Sequence, residues 1–345
     1  MQAGVLKDVN NVAYMTVADP QLESGDLLIR VKAATVCGTD IRILRGKKTA
    51  GIRYPSILGH EFAGEVVENG GHSQFKKGQA VCVCPQFACG HCERCIQGAE
   101  NLCRNCSAMG YQIDGAFAEF VRIPARGVAT GNVFFVPDGL SFEQAALAEP
   151  LACVMNGQER VGVKLGDVVA VLGAGPIGIL HIKLARRSGA RKIIVSEPNP
   201  LRREAAIKAG ADLAVDPTTE DLFKRVLEAS DGFGADVVIV AIGVPTLAND
   251  AIRLARQRGR ISLFAGFSIG VHAELDVNAI HYNELTVTGS FGLTRLQFER
   301  SLNLIASGHL EVDSLLTHRF GLRDIQKALE TAEHGSAIKV AIVAE

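Results

Sequence analysis

Residues 167–178 read D-V-V-A-V-L-G-A-G-P-I-G, an almost continuous apolar run that passes directly into a glycine-rich turn. A helical pattern follows as far as Gly189, so the glycines lie between a buried strand and a helix. The first glycine allows a tight turn, the second lets the backbone approach a pyrophosphate, and the third lets helix and strand pack closely. The helix N-terminus would supply N–H groups to the phosphates. The predicted dinucleotide-binding residues are Gly173, Gly175, Pro176, Ile177 and Gly178.

The next strand-like run, residues 192–196, is followed by Glu197, 19 residues after the last glycine of the turn. A carboxylate there can accept hydrogen bonds from both hydroxyls of an adenosine ribose and would repel a 2′-phosphate, which favours NAD over NADP. Arg202 and Arg203 follow closely and weaken this preference, because arginine accommodates a 2′-phosphate. A glycine-rich turn followed by a surface glutamate is the alternative interpretation.

Short apolar runs alternate with amphipathic helical patterns through the second half of the chain, which predicts βαβ units and a doubly covered parallel sheet. The strand-like runs are 167–172, 192–196, 213–215, 236–241, 260–264 and 285–290, and helical patterns include 219–229, 246–257, 295–307 and 323–334. Ala265 and Gly266 end one strand, and Ser290 and Phe291 end another. Because carboxyl ends of strands line the cofactor crevice, we expect these four residues to face the nicotinamide, with plain core packing as the alternative.

The first 150 residues follow a different pattern. Gly-rich segments and turn formers separate short β-like runs, which predicts an all-β, barrel-like domain with irregular lobes. These runs are 27–31, 64–67, 80–83 and 118–123. The fold class predicted for the whole chain is therefore α/β, with a β-rich domain followed by a doubly wound parallel-sheet domain.

The composition indicates which binding partners and which cellular compartment to expect. The formal net charge is −1 and no basic block stands out, so nucleic acid and anionic membranes are poor candidates. The N-terminus lacks the pattern of a signal peptide, and no uncharged apolar run reaches transmembrane length. These features predict a cytoplasmic protein with a small-molecule substrate.

Four cysteines lie in the run C-G-H-C-E-R-C-I-Q-G-A-E-N-L-C, with the spacing C-x2-C-x2-C-x7-C. Four thiolates in so short a stretch can close a tetrahedral shell around one Zn²⁺, which leaves no position for substrate and indicates a structural site. Disulfides and an iron–sulfur cluster are the alternatives. The predicted ligands are Cys89, Cys92, Cys95 and Cys103, whereas Cys82, Cys84, Cys106 and Cys153 are expected to be small buried hydrophobes.

A second, open metal site is suggested by scattered residues. Cys37 lies in V-C-G-T-D, His60 and Glu61 lie in L-G-H-E-F, and Glu149 lies in A-E-P. A thiolate, an imidazole and a carboxylate would leave a fourth coordination position for water or substrate. Spacing alone does not establish this site, since a buried histidine beside a glutamate is often a structural pair.

Taken together, these motifs resemble a known family. C-G-T-D, G-H-E, the four-cysteine lobe, A-E-P and G-A-G-P-I-G follow in the order and at the separations of zinc-dependent medium-chain dehydrogenases/reductases. Glu149 before a proline resembles the polyol (sorbitol) dehydrogenase and threonine dehydrogenase branches. The resemblance implies a GroES-like catalytic domain at 1–153 with its zinc lobe at about 85–106, a Rossmann domain at 154–290, and a segment 291–345 that returns to the catalytic domain.

The resemblance also implies roles for individual residues. Cys37 and His60 would be ligands of a catalytic zinc, and either Glu61 or Glu149 would be the third. The zinc would act as a Lewis acid on the substrate oxygen, and a hydride would pass to NAD. Thr39 would hydrogen-bond that oxygen and pass its proton outward, while capping of a helix is its alternative role. The family further implies two zinc ions per chain and a homodimer or homotetramer.

Two departures from the family pattern bear on the substrate. Arg42 stands where a histidine often completes the proton relay, and arginine cannot act as a base. S-F-G-L-T at 290–294 replaces an Arg-Tyr pair of sorbitol dehydrogenases, which puts sorbitol in doubt. A basic loop near the expected cleft mouth suggests a phosphorylated or carboxylated substrate, or else a solvated surface. Its residues are Arg45, Lys47, Lys48 and Arg53.

The predicted activity is oxidation of a secondary alcohol on a polyol, sugar, sugar phosphate or cyclitol. Alternatives are an L-threonine or diol dehydrogenase, and a catalytically silent nucleotide-binding protein.

Overall fold

The computed structural model describes residues 1–344, which divide into two compact units. One unit comprises Met1–Ala152 together with the chain from Leu293 onward, and the other comprises Cys153–Gly292. Within residues 1–344, none of the helices is both long enough and apolar enough to cross a bilayer.

The strands follow one another in chain order as β1 (Gln2–Asp8), β2 (Asn11–Thr16), β3 (Leu27–Thr35), β4 (Ser56–Ile57), β5 (Glu61–Glu68), β6 (Ala80–Val83), β7 (Gln86–Phe87), β8 (Ser107–Ala108), β9 (Phe120–Ile123), β10 (Val133–Phe135), β11 (Val168–Leu172), β12 (Lys192–Ser196), β13 (Leu213–Val215), β14 (Ala235–Val240), β15 (Ala255–Leu263), β16 (Thr286–Gly289), β17 (Leu316–Gly321) and β18 (Lys339–Val343).

The α-helices are α1 (Gly38–Leu44), α2 (Glu93–Ile96), α3 (Ala125–Ala129), α4 (Phe142–Ala146), α5 (Ala148–Val161), α6 (Pro176–Arg187), α7 (Pro200–Lys208), α8 (Leu222–Ala229), α9 (Thr246–Leu254), α10 (Val277–Tyr282), α11 (Arg295–Ala306) and α12 (Ile325–His334).

The first unit is built from β-sheets. Its main sheet has the order β10-β6-β5-β3-β18-β17, with β9 also pairing with β3. The C-terminal strand β18 lies antiparallel to β3, with Ala341 opposite Thr35, so the chain end completes the sheet that begins near the N-terminus. Aromatic and aliphatic side chains such as Phe62, Phe87 and Phe117 fill the core beneath it.

The second unit contains one six-stranded parallel sheet with the order β13-β12-β11-β14-β15-β16. The strand order reverses between β11 and β14, and ligands of such sheets bind at the carboxyl ends of the strands at this switch point. Strands β11 and β14 are buried along their whole length, as expected for a parallel sheet covered on both faces.

The predicted helix at 246–257 has a wrong C-terminal boundary, and the strand that follows it begins five residues earlier than predicted. The helical pattern at 246–257 is helical only to Leu254, and β15 begins at Ala255. Ala255 pairs with Ala235 of β14, and Arg256 forms an ion pair with Asp236 at 2.5 Å. Sheet pairing and this ion pair therefore override the helix propensity of the sequence A-R-Q-R.

Candidate active site

Strand pairing brings three of the predicted metal ligands together. Cys37 follows the end of β3, His60 immediately precedes β5, and Glu61 is the first residue of β5. Because β3 and β5 are antiparallel, with Thr35 opposite Glu61, the end of one strand lies beside the start of the other. The ligand atoms of Cys37, His60 and Glu61 all lie within 4.8 Å of one another.

Cys37 also begins helix α1. Its Sγ accepts the backbone N–H of Thr39 at 3.4 Å, and its own N–H donates to the Asp40 carboxylate at 2.9 Å. The alternative prediction that Thr39 caps the helix is therefore wrong, because Cys37 occupies the cap and Thr39 lies in the first turn.

His60 is nearly inaccessible, with 5% of its surface exposed. Its Nδ1 lies 3.5 Å from Asp40 Oδ1, and neither atom has a hydrogen-bond partner among the described residues. Burial lowers the pKa of His60, but Asp40, Tyr111 and Cys37 together raise it, and the net shift is upward. With Nδ1 facing a carboxylate, Nε2 is the nitrogen that remains to bind a metal, an arrangement that orients metal-binding histidines.

Glu61 is held by groups distant in sequence. Its side chain is 1% exposed, and its carboxylate accepts hydrogen bonds from the Thr35 hydroxyl and from Lys339 Nζ, with Nζ 2.9 Å from Oε1 and 2.6 Å from Oε2. Lys339 opens β18 and is itself only 3% exposed. Burial lowers the pKa of Lys339, but the negative charges of Glu61, Cys37 and Glu149 raise it, and the net shift is upward.

Glu149 lies in the first turn of α5 and is buried, but it is not one of the three residues whose ligand atoms cluster within 4.8 Å. Its negative charge affects the pKa of a group beside the cluster. Burial is the main cause of the raised pKa of the Tyr111 phenol, and Glu149 is one of the negative groups that add to the rise. The structure therefore brings Glu61 into direct reach of Cys37 and His60 and places Glu149 nearby.

The donor set fits a zinc ion. A thiolate, an imidazole and a carboxylate are the ligand types that Zn²⁺ takes, and three protein ligands leave one position open. Lys339 offsets one of the negative charges of Cys37, Glu61 and Glu149, and a divalent cation would offset the others.

The four-cysteine lobe has the dimensions of a closed shell. Sulfur separations are 3.5 Å for Cys92–Cys95, 3.8 Å for Cys92–Cys103 and 3.9 Å for Cys89–Cys95. A tetrahedron with Zn–S bonds of about 2.3 Å has edges of about 3.8 Å. All four sulfurs lie within 4.8 Å of one another, and every cysteine within residues 1–344 is free, so the disulfide alternative is wrong.

Backbone N–H groups support thiolates in this lobe. Cys89 N donates to Cys103 Sγ at 3.3 Å, and Cys92 N donates to Cys89 Sγ at 3.4 Å. The backbone N–H of Cys95 is the main cause that lowers the pKa of Cys92 to about 6. The leftover Cys82 and Cys84 are buried as expected, whereas Cys106 and Cys153 are only half-buried.

The glycine loop in the second unit has the backbone conformation that its sequence predicts. Gly173 follows β11 with φ of +98°, and Gly175 caps α6, of which Pro176 and Ile177 form the first turn. A Cβ on Gly178 would lie 2.0 Å from the Gly173 carbonyl oxygen, so only glycine fits there.

Glu197 is buried against this loop, with 4% of its surface exposed, so the surface-glutamate alternative is wrong. Its carboxylate accepts the backbone N–H of Ala174 at 2.8 Å and of Asn199 at 3.0 Å. Arg203 donates to the carbonyls of Glu197 and Pro198 and pairs with Asp216, whereas Arg202 has a buried Nε without a hydrogen-bond partner among the described residues.

The strand-end residues differ in their surroundings. Ala265 N donates to the Val240 carbonyl at 3.0 Å, just beyond the ends of β14 and β15, and Gly266 is exposed. Ser290 Oγ is buried and has no hydrogen-bond partner among residues 1–344, while the Phe291 side chain is exposed. They lie at the carboxyl ends of β15 and β16, the edge where cofactors bind to such sheets.

Sequence reasoning missed four residues of the metal cluster: Thr35, Asp40, Tyr111 and Lys339. Asp40 had a detectable signal, because it lies three residues after Cys37 in a capping box. Lys339 had a weaker one, as a lone cation that opens the apolar run K-V-A-I-V.

Comparison with known proteins agrees with this architecture. Residues 23–133 match the alcohol dehydrogenase GroES-like domain, and residues 176–307 match the zinc-binding dehydrogenase family. The chain is 36% identical over 328 residues to the L-threonine 3-dehydrogenase of Pyrococcus furiosus, covering 93% of this chain and 92% of that protein. It is 31% identical over 336 residues to the sorbitol dehydrogenase of Bacillus subtilis, covering 96% and 93%. A zinc-binding dehydrogenase of Sinorhizobium meliloti 1021, solved with bound NADP, has a TM-score of 0.91 at 33% identity, covering 99% of this chain and 98% of that one.

A GroES-like unit, a Rossmann unit and two zinc-type ligand clusters define a zinc-dependent dehydrogenase. The chain belongs to the zinc-dependent medium-chain dehydrogenase/reductase family, and it is an oxidoreductase whose cofactors are zinc and NAD(P). The predictions of family, fold class and enzyme class are confirmed, and the silent nucleotide-binding alternative is set aside.

Proposed function

We propose that this protein oxidises a secondary alcohol of a polyol, sugar, sugar phosphate or cyclitol at the cluster Cys37–His60–Glu61 and passes the hydride to NAD. The approach of these three ligand atoms to within 4.8 Å of one another is the observation that carries the proposal. Bound zinc supplies Lewis-acid activation of the alcohol oxygen.

The chain's own residues hold and orient the reactants. The Asp40 carboxylate, 3.5 Å from Nδ1 of His60, orients the imidazole electrostatically and leaves Nε2 for the metal. Thr39, in the first turn of α1, takes the proton of the substrate hydroxyl as its own hydroxyl proton leaves to solvent. Arg42 does not accept that proton, because a guanidinium has no basic position.

We assign Glu61 as the third protein ligand. A carboxylate has about four lone-pair positions, so Glu61 can accept hydrogen bonds from Thr35 and Lys339 and still coordinate a metal. Glu149, which is buried in the first turn of α5, would then hold the group bound at the remaining position. Substituting Glu61 with Gln should release the catalytic zinc, whereas Glu149→Gln should lower turnover with zinc retained. The opposite pattern would make Glu149 the ligand.

The second unit binds the dinucleotide through Gly173–Gly178, and Glu197 selects NAD over NADP. The support is the burial of Glu197 beside the loop, where a 2′-phosphate would meet a carboxylate. The NADP bound to the Sinorhizobium meliloti relative argues for testing both cofactors in this protein.

L-threonine oxidation is the second candidate function. It is favoured by the 36% identity with an L-threonine 3-dehydrogenase, which exceeds the 31% identity with a sorbitol dehydrogenase. Threonine also presents a secondary alcohol, so the same cluster could oxidise it.

A substrate panel tests the proposal. Zinc-loaded protein is incubated with sorbitol, xylitol, myo-inositol, sorbitol 6-phosphate, 2,3-butanediol or L-threonine, with NAD and NADP in parallel, and nucleotide reduction is followed by absorbance. We expect reduction of NAD by at least one polyol, sugar phosphate or cyclitol, at a higher kcat/KM than with NADP. If only L-threonine is oxidised, the second candidate replaces the first.

Assembly and location belong to the same proposal. We propose a cytoplasmic homodimer or homotetramer, and exposed apolar side chains in the second unit, which include Ile269, Val277 and Tyr282, support the self-association. Light scattering of the purified protein measures the oligomeric state.

A further inference from the structure

The basic loop after α1 is not a uniform surface. Arg45 and Arg53 each form an ion pair with a carboxylate, and Lys47 is exposed to solvent. Lys48 is different, because its side chain is half-buried and turned toward the metal cluster.

The position of Lys48 is set by contacts within the first unit. Its backbone N–H donates to the Arg42 carbonyl at 3.2 Å, which holds the loop against the end of α1. Its ammonium lies 4.6 Å from the centre of the Tyr111 ring, and the centre of that ring lies 5.6 Å from the centre of the His60 ring. Tyr111 therefore contacts both the ammonium of Lys48 and a proposed zinc ligand.

The charge of Lys48 lacks a dedicated counter-ion. Within residues 1–344 its ammonium forms no ion pair. Burial and the charge of Arg42 lower the pKa of Lys48, while the negative charges of Cys37 and Asp40 raise it. Asp40 is already engaged with the N–H of Cys37 and faces His60, and Cys37 is a proposed zinc ligand. Partial burial of an unpaired cation is unfavourable, and a bound anion would relieve that cost.

We propose that Lys48 binds an anionic group, a carboxylate or a phosphate, carried by the alcohol substrate, and so determines substrate specificity. This inference rests on the proposed function, because it names a feature of the molecule oxidised at Cys37, His60 and Glu61. The ring face of Tyr111 contacts the ammonium of Lys48. The lysine ammonium acts as a point charge, so a carboxylate and a phosphate are both compatible with this position.

The test compares kcat/KM for sorbitol 6-phosphate and for L-threonine with kcat/KM for neutral sorbitol, using zinc-loaded protein and saturating NAD. Lys48→Met should lower the ratio of anionic to neutral substrate at least tenfold, mainly through KM, because one charge-assisted contact is removed. Lys48→Arg should keep most of the ratio. The matched control is Lys47→Met, which removes the neighbouring exposed charge and should leave the ratio unchanged. The anionic substrate that loses activity identifies phosphate or carboxylate as the recognised group.

Binding of inorganic phosphate and binding of NADH separate a role of Lys48 in anion recognition from a role in cofactor binding. Inorganic phosphate titrated calorimetrically into the zinc-loaded protein should bind at least tenfold more weakly to Lys48→Met than to Lys47→Met. This readout tests Lys48 even if no alcohol is oxidised, in which case the proposed function fails by itself. The inference is overturned if Lys48→Met lowers activity equally for anionic and neutral substrates, or if it weakens NADH binding instead of phosphate binding.

Discussion

Replacing Lys339 with Met should destabilise the first unit strongly, because it leaves a buried carboxylate without its cation. Lys339 and Glu61 are 3% and 1% exposed, and Nζ lies 2.6 Å from Glu61 Oε2. Loss of one partner of a buried ion pair costs about 3–5 kcal/mol. Met keeps most of the lysine stem volume, so the cost arises from the uncompensated charge of Glu61.

A matched control uses a second glutamate of β5, the strand that also carries Glu61. Lys32 of β3 pairs with Glu65 of β5 at 3.1 Å, but these side chains are 30% and 32% exposed. An exposed pair of this kind contributes about 0–1 kcal/mol, so Lys32→Met should have little effect. Urea denaturation after a chelator has removed the metal, followed by circular dichroism, gives the free energy of unfolding of each variant, because a bound zinc would itself offset the charge of Glu61.

The double variant Lys339→Met/Glu61→Gln sharpens the test. Removing the charge of Glu61 should recover part of the stability lost in Lys339→Met, because the orphaned carboxylate is then absent. The reasoning is refuted if Lys339→Met is no less stable than Lys32→Met, or if the two substitutions of the double variant add without any recovery.

Three further outcomes are expected, all in the second unit. Burial lowers the pKa of His181 from 6.5 to about 3. Between these values the unfolded chain binds a proton that the buried imidazole does not, so the free energy of unfolding falls as the pH drops from 6.5 toward 3. His181→Gln should make the free energy of unfolding, measured by urea titration, less dependent on pH in this range. The control His272→Gln, at an exposed position, should keep the dependence of the unaltered protein. The same pH dependence in both variants would contradict the assignment to His181. Gly175→Ala should weaken NADH binding measured by fluorescence while keeping the melting temperature, because a Cβ there meets open space and only a bound pyrophosphate would be obstructed. Gly178→Ala should lower the melting temperature as well, since its Cβ would collide with the Gly173 carbonyl; unchanged melting would show that the loop adjusts.

Local signatures account for what the sequence predicted well. The strand–glycine–helix stretch 167–178 and the four-cysteine lobe each carry their chemistry within a few residues, so spacing is informative. The parallel sheet followed from alternating apolar runs, since β11 and β14 are buried on both faces.

Long-range contacts account for what was missed. Lys339 reaches Glu61 across 278 residues of chain, and no local pattern links them. Likewise, Lys48 and Tyr111 lie 63 residues apart in the sequence, and only the fold brings them into contact. The basic loop therefore looked uniform in sequence, although its four cations have different surroundings.

The prediction that the helix α9 continues past Leu254 was wrong for a related reason. Residues 255–258 have helix-forming side chains, but Ala255 and Arg256 make contacts with β14 that only a strand allows. Propensity is a weak guide where neighbouring strands compete for the backbone.

The central claim is that chemistry occurs at Cys37 and not at the four-cysteine lobe. The most direct measurement is the zinc content of purified Cys37→Ser by plasma mass spectrometry, together with turnover on the best alcohol and NADH affinity. We predict one zinc per chain instead of two, no turnover, and NADH affinity equal to that of the unaltered protein. Two zinc ions with turnover retained, or a loss of NADH binding, would contradict the account.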